Sequence, residues 1–452
     1  MTDHTDERPD ASRRRLLQAG VGAAAFGALP GAGILAARAQ GAFDWKRFKG
    51  EKIEIFLVKS PRGDLLTKYH KEFEDLTGIT VGSEMIPEQQ QRQKAVIEFN
   101  SGNPSFDVIA LSYHVQKRQF AKNNWLADLR PMIADKSLAD PNLDFADFAK
   151  GGLNYAVEPD GRVNSLPFNL DPWVVYYNKE VFDAKGIAFP KTFAEMIDAA
   201  AKLNDPGKGI AGFVGRGLKN ANVPVWTSFL LGYGGTFIDT KGKLLTDSSE
   251  AIEAGKMYQT LLGKYGPPGV AGFNWNEAQS LFLQGKAAMW LDGIGFAQPL
   301  EDPTKSRIVG KVGYGVMPAG PKQQVSALFG DGEGISTYSR KKGPAWFYLQ
   351  WASNKQNQTR MLQAAAGAPV RTSAYAAAQA SSDFKAPKQW VECMLTSAKI
   401  AQPGLPVIAP VTEFRDVFGV ALTNMINGAD PAAELKKATA EFQPVLDKSE
   451  KS

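Results

Sequence analysis

From residue 53 onward the chain alternates short apolar runs with stretches in which apolar residues recur every three or four positions. Residues 53–58 are a run of the first kind and read as a strand. Leu65, Leu66, Tyr69, Phe73 and Leu76 follow at helical spacing, and Gly78 closes that helix. Residues 79–81 read as a second strand. Residues 89–101 read as a second helix, with Val96 and Ile97 turned inward. Residues 106–111 form an uninterrupted apolar run, as expected of a parallel strand buried on both faces. The β-α-β-α-β order predicts a doubly wound α/β lobe. Ligands of such sheets bind past the carboxyl ends of the strands, which singles out the loops 59–64 and 112–114.

A second α/β lobe is predicted further on. Val174, Val175, Tyr176 and Tyr177 are strand chemistry. Residues 192–203 form an amphipathic helix with Thr192 as N-cap and Glu195 three positions later. Helices are expected at 248–262 and 277–284, and a strand at 287–291 running into Asp292 and Gly293. Strands return within 313–336, followed by helices at 344–366 and 431–446.

Composition narrows the function. The 452 residues carry 52 basic and 47 acidic side chains, a balance that excludes a chain-wide nucleic-acid surface. The single cysteine, Cys393, forbids an internal disulfide framework. Three histidines without close spacing argue against a conventional zinc site, and no cofactor motif is present: there is no P-loop, no Gly-x-Ser-x-Gly and no dinucleotide fingerprint. The first 39 residues differ from the rest. Arg13, Arg14 and Arg15 precede a Gly/Ala-rich stretch interrupted by Pro30, which ends at Ala37-Arg38-Ala39. That is the layout of a twin-arginine export signal cleaved near Ala39, and it predicts a periplasmic mature chain.

Five landmarks then occur in order. They are Leu166-Pro167 ahead of Val175-Tyr176-Tyr177-Asn178-Lys179; Phe189-Pro190-Lys191-Thr192-Phe193; Gly234-Gly235 ahead of Asp239; Gly285-Lys286-Ala287-Ala288-Met289; and Gly313-Tyr314-Gly315-Val316-Met317-Pro318 ahead of Gly332-Glu333-Gly334. Together they resemble family 1 of the extracellular solute-binding proteins of ABC importers, the carbohydrate-binding group that includes the maltose-binding protein. The resemblance implies a type II periplasmic binding protein fold: two α/β lobes joined by crossover hinge strands. One lobe would comprise 43–165 with 314–342, the other 166–313 with 343–452. Crossings are expected near 166–167, 314–318 and 366–371. The implied function is capture of an oligosaccharide or polyol between the lobes and delivery to the permease transmembrane subunits, by a monomer without catalysis, cofactor, metal or nucleic acid.

A sugar site needs flat rings and planar groups that donate and accept hydrogen bonds. Past the first crossover, Asn169, Asp171 and Trp173 qualify, and Asp171 matches the position of a ligand carboxylate in the family; it also suits a turn cap. Trp290, Asp292 and Gly293 end a strand, although Trp290 equally suits a core. Phe296 matches a stacking aromatic. In the first lobe Arg62 and Asp64 follow strand one, with Asp64 also a plausible helix cap. Tyr113 and His114 follow strand three. Phe329 and Asp331 precede the glycine cluster, Arg371 is a clamp across the cleft or a surface ion pair, and Trp226 is a looser candidate. Two alternatives stay open. Asp171, Asp292 and Asp331 could flank a glycosidic bond in an exported glycosidase. Arg62, Arg371 and Lys59 could serve an anionic solute such as glycerol 3-phosphate.

Overall fold

The computed structural model describes residues 42–158, 160–380 and 387–451. The export signal therefore lies outside the described residues. No helix among them is long and apolar enough to cross a membrane.

Ten strands form the sheet: β1 (Lys52–Val58), β2 (Thr80–Ile86), β3 (Val108–Ser112), β4 (Leu166–Asn178), β5 (Ala211–Val214), β6 (Ala287–Gly293), β7 (Val312–Gly315), β8 (Ser326–Ile335), β9 (Ala368–Pro369) and β10 (Ala401–Pro403). Their order is β2-β1-β3-β8-β4-β6-β5, with β10 beside β8 and β7 and β9 beside β4. The first lobe is built as its pattern predicts. β1 pairs in parallel with β2 and β3, and Ile53, Ile55, Phe56 and Leu57 are all buried because helices cover both faces. Helix α1 (Pro61–Thr77) ends at Gly78, whose φ of 72° is the left-handed value glycine tolerates. Helix α2 (Glu88–Ser101) turns Ala95 and Phe99 inward, whereas Ile97, expected inside, is 69% exposed.

β4 carries the connection between halves. Its Leu166–Pro172 part pairs antiparallel with β8 of the first half, and Trp173–Tyr177 pairs with β6 of the second. The backbone thus passes from one lobe to the other without leaving extended conformation. The return differs from expectation. Tyr314 lies in β7, opposite Tyr176 in the second half, and the chain recrosses only along β8.

The C-terminal third is also redistributed. The stretch 344–366 is two helices, Lys342–Ala352 and Lys355–Gln363, because Asn354 caps the second through the Asn357 N–H. Both were expected in the second lobe. Instead Trp346, Phe347, Tyr348 and Met361 join Ile53, Leu66, Phe73 and Ile335 in the first-lobe core. A helix apolar on nearly every side needs cover all round, and α1 with β8 supplies it. Helices Val411–Ile426 and Pro431–Lys451 do pack on the second lobe, through Phe414, Phe418, Leu435 and Phe442.

Candidate ligand-binding site

The strand ends and crossovers converge on one cavity. After β1 the Ser60 hydroxyl accepts the Gly63 N–H at 3.2 Å and starts α1. Gly63 is obligatory there, since a Cβ would lie 2.5 Å from the Val58 carbonyl oxygen. This tight turn places Arg62 on the cavity wall. β3 brings Ser112 and His114, α2 brings Glu88 and Arg92, and the crossovers bring Asp171, Trp173, Phe329, Asp331 and Glu333. The second half contributes Arg216, Phe296 and Arg415. The space among them, including solvent at its open mouth, is about 830 Å³.

One wall is aromatic. Trp173 and Phe329 have ring centroids 5.0 Å apart, and His114 stands edge-on to Phe329 at 4.9 Å. The Arg216 guanidinium lies 5.0 Å from the Trp173 ring centre and 5.6 Å from that of Phe296. Rings on both sides hold the cation in place.

The polar groups are oriented by partners behind them. Asp331 receives Arg62 Nη2 at 3.0 Å, the Ser112 hydroxyl at 3.2 Å and Asn169 Nδ2 at 3.2 Å. Asp171 accepts the Gly295 N–H at 2.9 Å. Gly293 leaves space for that carboxylate, for a Cβ there would come within 2.2 Å of it. Asp292, wholly buried, accepts Arg216 Nε at 2.9 Å and Nη2 at 2.5 Å, a two-pronged pairing that fixes the guanidinium plane. Several atoms remain without partners: Arg62 Nη1, Arg92 Nε and Nη1, Glu88 Oε1, Glu333 Oε1 and His114 Nδ1. Buried polar atoms are normally satisfied, so a cluster of orphans in a cavity marks where a ligand's groups belong.

Burial governs the charge states. It raises Asp171 to about 6, against the pull of Arg62 and the Gly295 hydrogen bond. It raises Glu333 to about 8. Burial also holds His114 well below its usual value, helped by the neighbouring Arg92 and Arg415, so the ring is neutral. For Arg216 burial works downward but Asp292 prevails and raises it. Glu88 stays below the usual carboxylate range: burial opposes ionisation, and Arg92, Arg216, Arg415 and Arg62 overcome it. The cavity thus offers charged acceptors, charged donors and neutral groups side by side.

The family model for bacterial extracellular solute-binding proteins matches residues 59–359. The chain belongs to that family. It is a binding protein and not an enzyme, which removes the glycosidase alternative, and its fold is that of the periplasmic binding proteins. This solute-binding protein is 27% identical over 425 residues to the erythritol/L-threitol-binding protein of Mycolicibacterium smegmatis, covering 89% of this chain and 87% of that one. It is also 27% identical over 342 residues to a probable amino-acid ABC transporter periplasmic-binding protein of Sinorhizobium fredii, covering 73% and 74%. Among solved structures, an ABC transporter solute-binding protein from Agrobacterium radiobacter K84 in complex with ribitol superposes with a TM-score of 0.80. The two are 26% identical over 88% of this chain and 99% of that one.

The sequence candidates fall into three groups in the solute-binding protein. Arg62, His114, Asp171 and Trp173 line the cavity, as do Phe296, Phe329 and Asp331. Asn169, Asp292 and Gly293 stand behind it and position Asp331, Arg216 and Asp171. The remaining five are not on the wall. Asp64 is on the exposed side of α1, paired with Lys59 at 2.6 Å, and the cap of α1 is Ser60. Tyr113 turns away to meet the Ser165 hydroxyl at 3.0 Å and stack on Tyr155. Trp226 stacks on Phe418 inside the second lobe and donates to the Ala251 carbonyl. Trp290 stacks on Tyr176 in a core that also holds Phe282, because β6 is buried along its whole length. Arg371 is buried in the first lobe, donating to the carbonyls of Ser353 at 2.5 Å and Leu143 at 2.8 Å, with Phe148 beneath it.

Five charged wall residues escaped the sequence reading: Glu88, Arg92, Arg216, Glu333 and Arg415. Arg216 follows the end of β5 by two positions, so the same strand-end rule would have found it had the short β5 been recognised. Glu88 and Arg92 lie one helical turn apart at the start of α2. Arg415 reaches the cavity from a helix near the C-terminus and carries no local signal.

Proposed function

We propose that this protein is exported by the twin-arginine route, cleaved near Ala39, and acts in the periplasm as the monomeric binding component of an ABC importer for a small polyhydroxylated solute. The solute contacts Arg62, His114, Asp171, Trp173, Phe296 and Phe329, with Asp331 and the newly located Glu88, Arg92, Arg216 and Arg415. The lobes close on it by bending where β4, β8 and β9 cross, and the permease receives the closed form.

The observation that carries this reading is the pairing of an aromatic wall with orphaned donors and acceptors in one enclosed space. Each hydroxyl of a sugar or polyol donates once and accepts twice, so it bridges carboxylate and guanidinium while its C–H face rests on Trp173 and Phe296. The wall residues are themselves almost completely buried, Trp173 at 3% and Phe296 at 5% exposed. We take the solute to be of monosaccharide size rather than a long oligosaccharide. The relative named for erythritol and L-threitol, and the structure holding ribitol, support the same solute class.

The test is thermal unfolding of the mature chain with tetritols, pentitols, hexitols, their acids, monosaccharides and maltotriose. A ligand bound only by the folded state raises Tm by mass action. The expected result is stabilisation by one or more compounds of four to six carbons and none by maltotriose. Stabilisation by oligosaccharides alone, or by no polyhydroxylated compound, overturns the proposal.

A further inference from the structure

The cavity is electrically lopsided. At one end Arg62 faces Asp331 and Asp171. At the other, three guanidiniums act on one another, those of Arg92, Arg216 and Arg415, with Glu88 among them and Asp292 behind. Arg216 is neutralised by Asp292, and Arg92 lies 3.8 Å from Glu88. Arg415 has no such partner. It is 3% exposed, and among the described residues its only hydrogen bond is from Nε to the Asn220 carbonyl at 3.0 Å and no carboxylate lies within ion-pair distance. The adjacent Asp416 points to Asn220 and Lys219. A buried cation with no carboxylate in ion-pair contact is costly, and the more distant Glu88 and Asp416 offset that only in part. Its affinity for the proton drops to about 9, through burial first and then repulsion by Arg92. Beside it Arg92 Nε and Nη1 also lack acceptors.

We infer that the solute carries a carboxylate at one end, a polyhydroxy acid of aldonate type, and that Arg415 with Arg92 reads that group. A carboxylate is acceptor-only and takes paired N–H donors from a guanidinium fork, which a terminal CH₂OH cannot match. The hydroxyl chain then runs past Trp173 toward Asp171 and Asp331. The inference rests on the assignment of the cavity to a polyhydroxylated solute and sharpens it.

The experiment is calorimetric titration of the mature chain with matched pairs: D-ribonate against ribitol, and D-gluconate against D-glucitol. The acid of at least one pair should bind about tenfold or more tightly than its polyol. Arg415→Gln should bring the acid-to-polyol ratio near one. Arg415→Lys, which keeps the charge and loses the fork, should fall between. The apo Tm of Arg415→Gln should equal or exceed that of the parent, because an unpaired buried charge has been removed, so lost preference is not lost folding. Equal or tighter binding of the polyols overturns the inference and leaves the polyhydroxylated-solute assignment standing, as does an unchanged ratio in Arg415→Gln. Binding of an α-amino acid with no sugar acid or polyol overturns both.

Discussion

Replacing Arg216 with methionine tests how the second lobe holds its side of the cavity. Methionine keeps the apolar stem but removes the guanidinium that lies against Trp173 and Phe296, and with it both hydrogen bonds to Asp292. Asp292 is wholly buried at the end of β6, and its remaining support is the Gly293 N–H at 2.8 Å. Breaking one side of a buried ion pair typically costs about 3–5 kcal/mol, because the other charge stays desolvated. The unit from Gly41 to Ser452 unfolds with an entropy of roughly 0.9 kcal/mol/K, taking about 2.1 cal/mol/K per residue near 60 °C. The expected fall in Tm is therefore about 3–6 °C at neutral pH. Without its partner Asp292 titrates higher in the folded state than unfolded. The deficit should shrink as pH falls and Asp292 takes up a proton, and grow as pH rises. Adding Asp292→Leu should recover most of the lost Tm without recovering ligand affinity, since the guanidinium stays absent. Scanning calorimetry between pH 5 and 8 reads all three effects. A Tm within about 1 °C of the parent at every pH, or a double variant no more stable than the single one, would refute the claim that this pair is a coupled buried unit.

Three further outcomes follow from the same charges. Glu333 is raised to about 8 by burial, so its contribution to stability is complete below the ordinary glutamate value near 4.5 and disappears as pH climbs through 8; Glu333→Gln should flatten the decline of Tm over that window in calorimetric scans. Asp171→Asn should weaken solute binding by about tenfold or more in titration calorimetry, as expected for hydrogen bonds to a charged acceptor, yet not lower the apo Tm at pH 8, where the parent must keep a buried carboxylate ionised. Arg371→Met should lower Tm by several degrees by stranding the Ser353 and Leu143 carbonyls, while affinity per folded molecule stays that of the parent; a selective loss of affinity would return Arg371 to the cleft.

The first lobe was legible because its order is local. The residues from Ile53 to Leu111 state strand, helix and strand in sequence, and glycine at 78 ends α1 for a steric reason that needs no tertiary contact. Asp171, Trp173 and Asp331 were legible for a related reason, as residues at crossovers lie near the cleft wherever such a sheet is built. The sequence did not determine which side of each element faces which neighbour. Ile97 and Leu76 fit the helical period yet point outward, because the sheet lies one position round from where their spacing alone directs them. Trp226 and Trp290 carry the chemistry of a sugar platform and are spent on cores, since a large ring is worth about as much buried against Phe418 or Tyr176 as against a ligand.

The sequence by itself therefore determined the class of fold, the family landmarks and the crossover residues of the cavity. Only the tertiary structure decided that helices Lys342–Ala352 and Lys355–Gln363 serve the first lobe, and that Arg216 and Arg415 meet Glu88 and Arg92 across more than a hundred intervening residues. Periodicity reports which faces of a segment are apolar. It holds no information on pairs of charges that become neighbours only when distant segments are packed, and those pairs line the cavity.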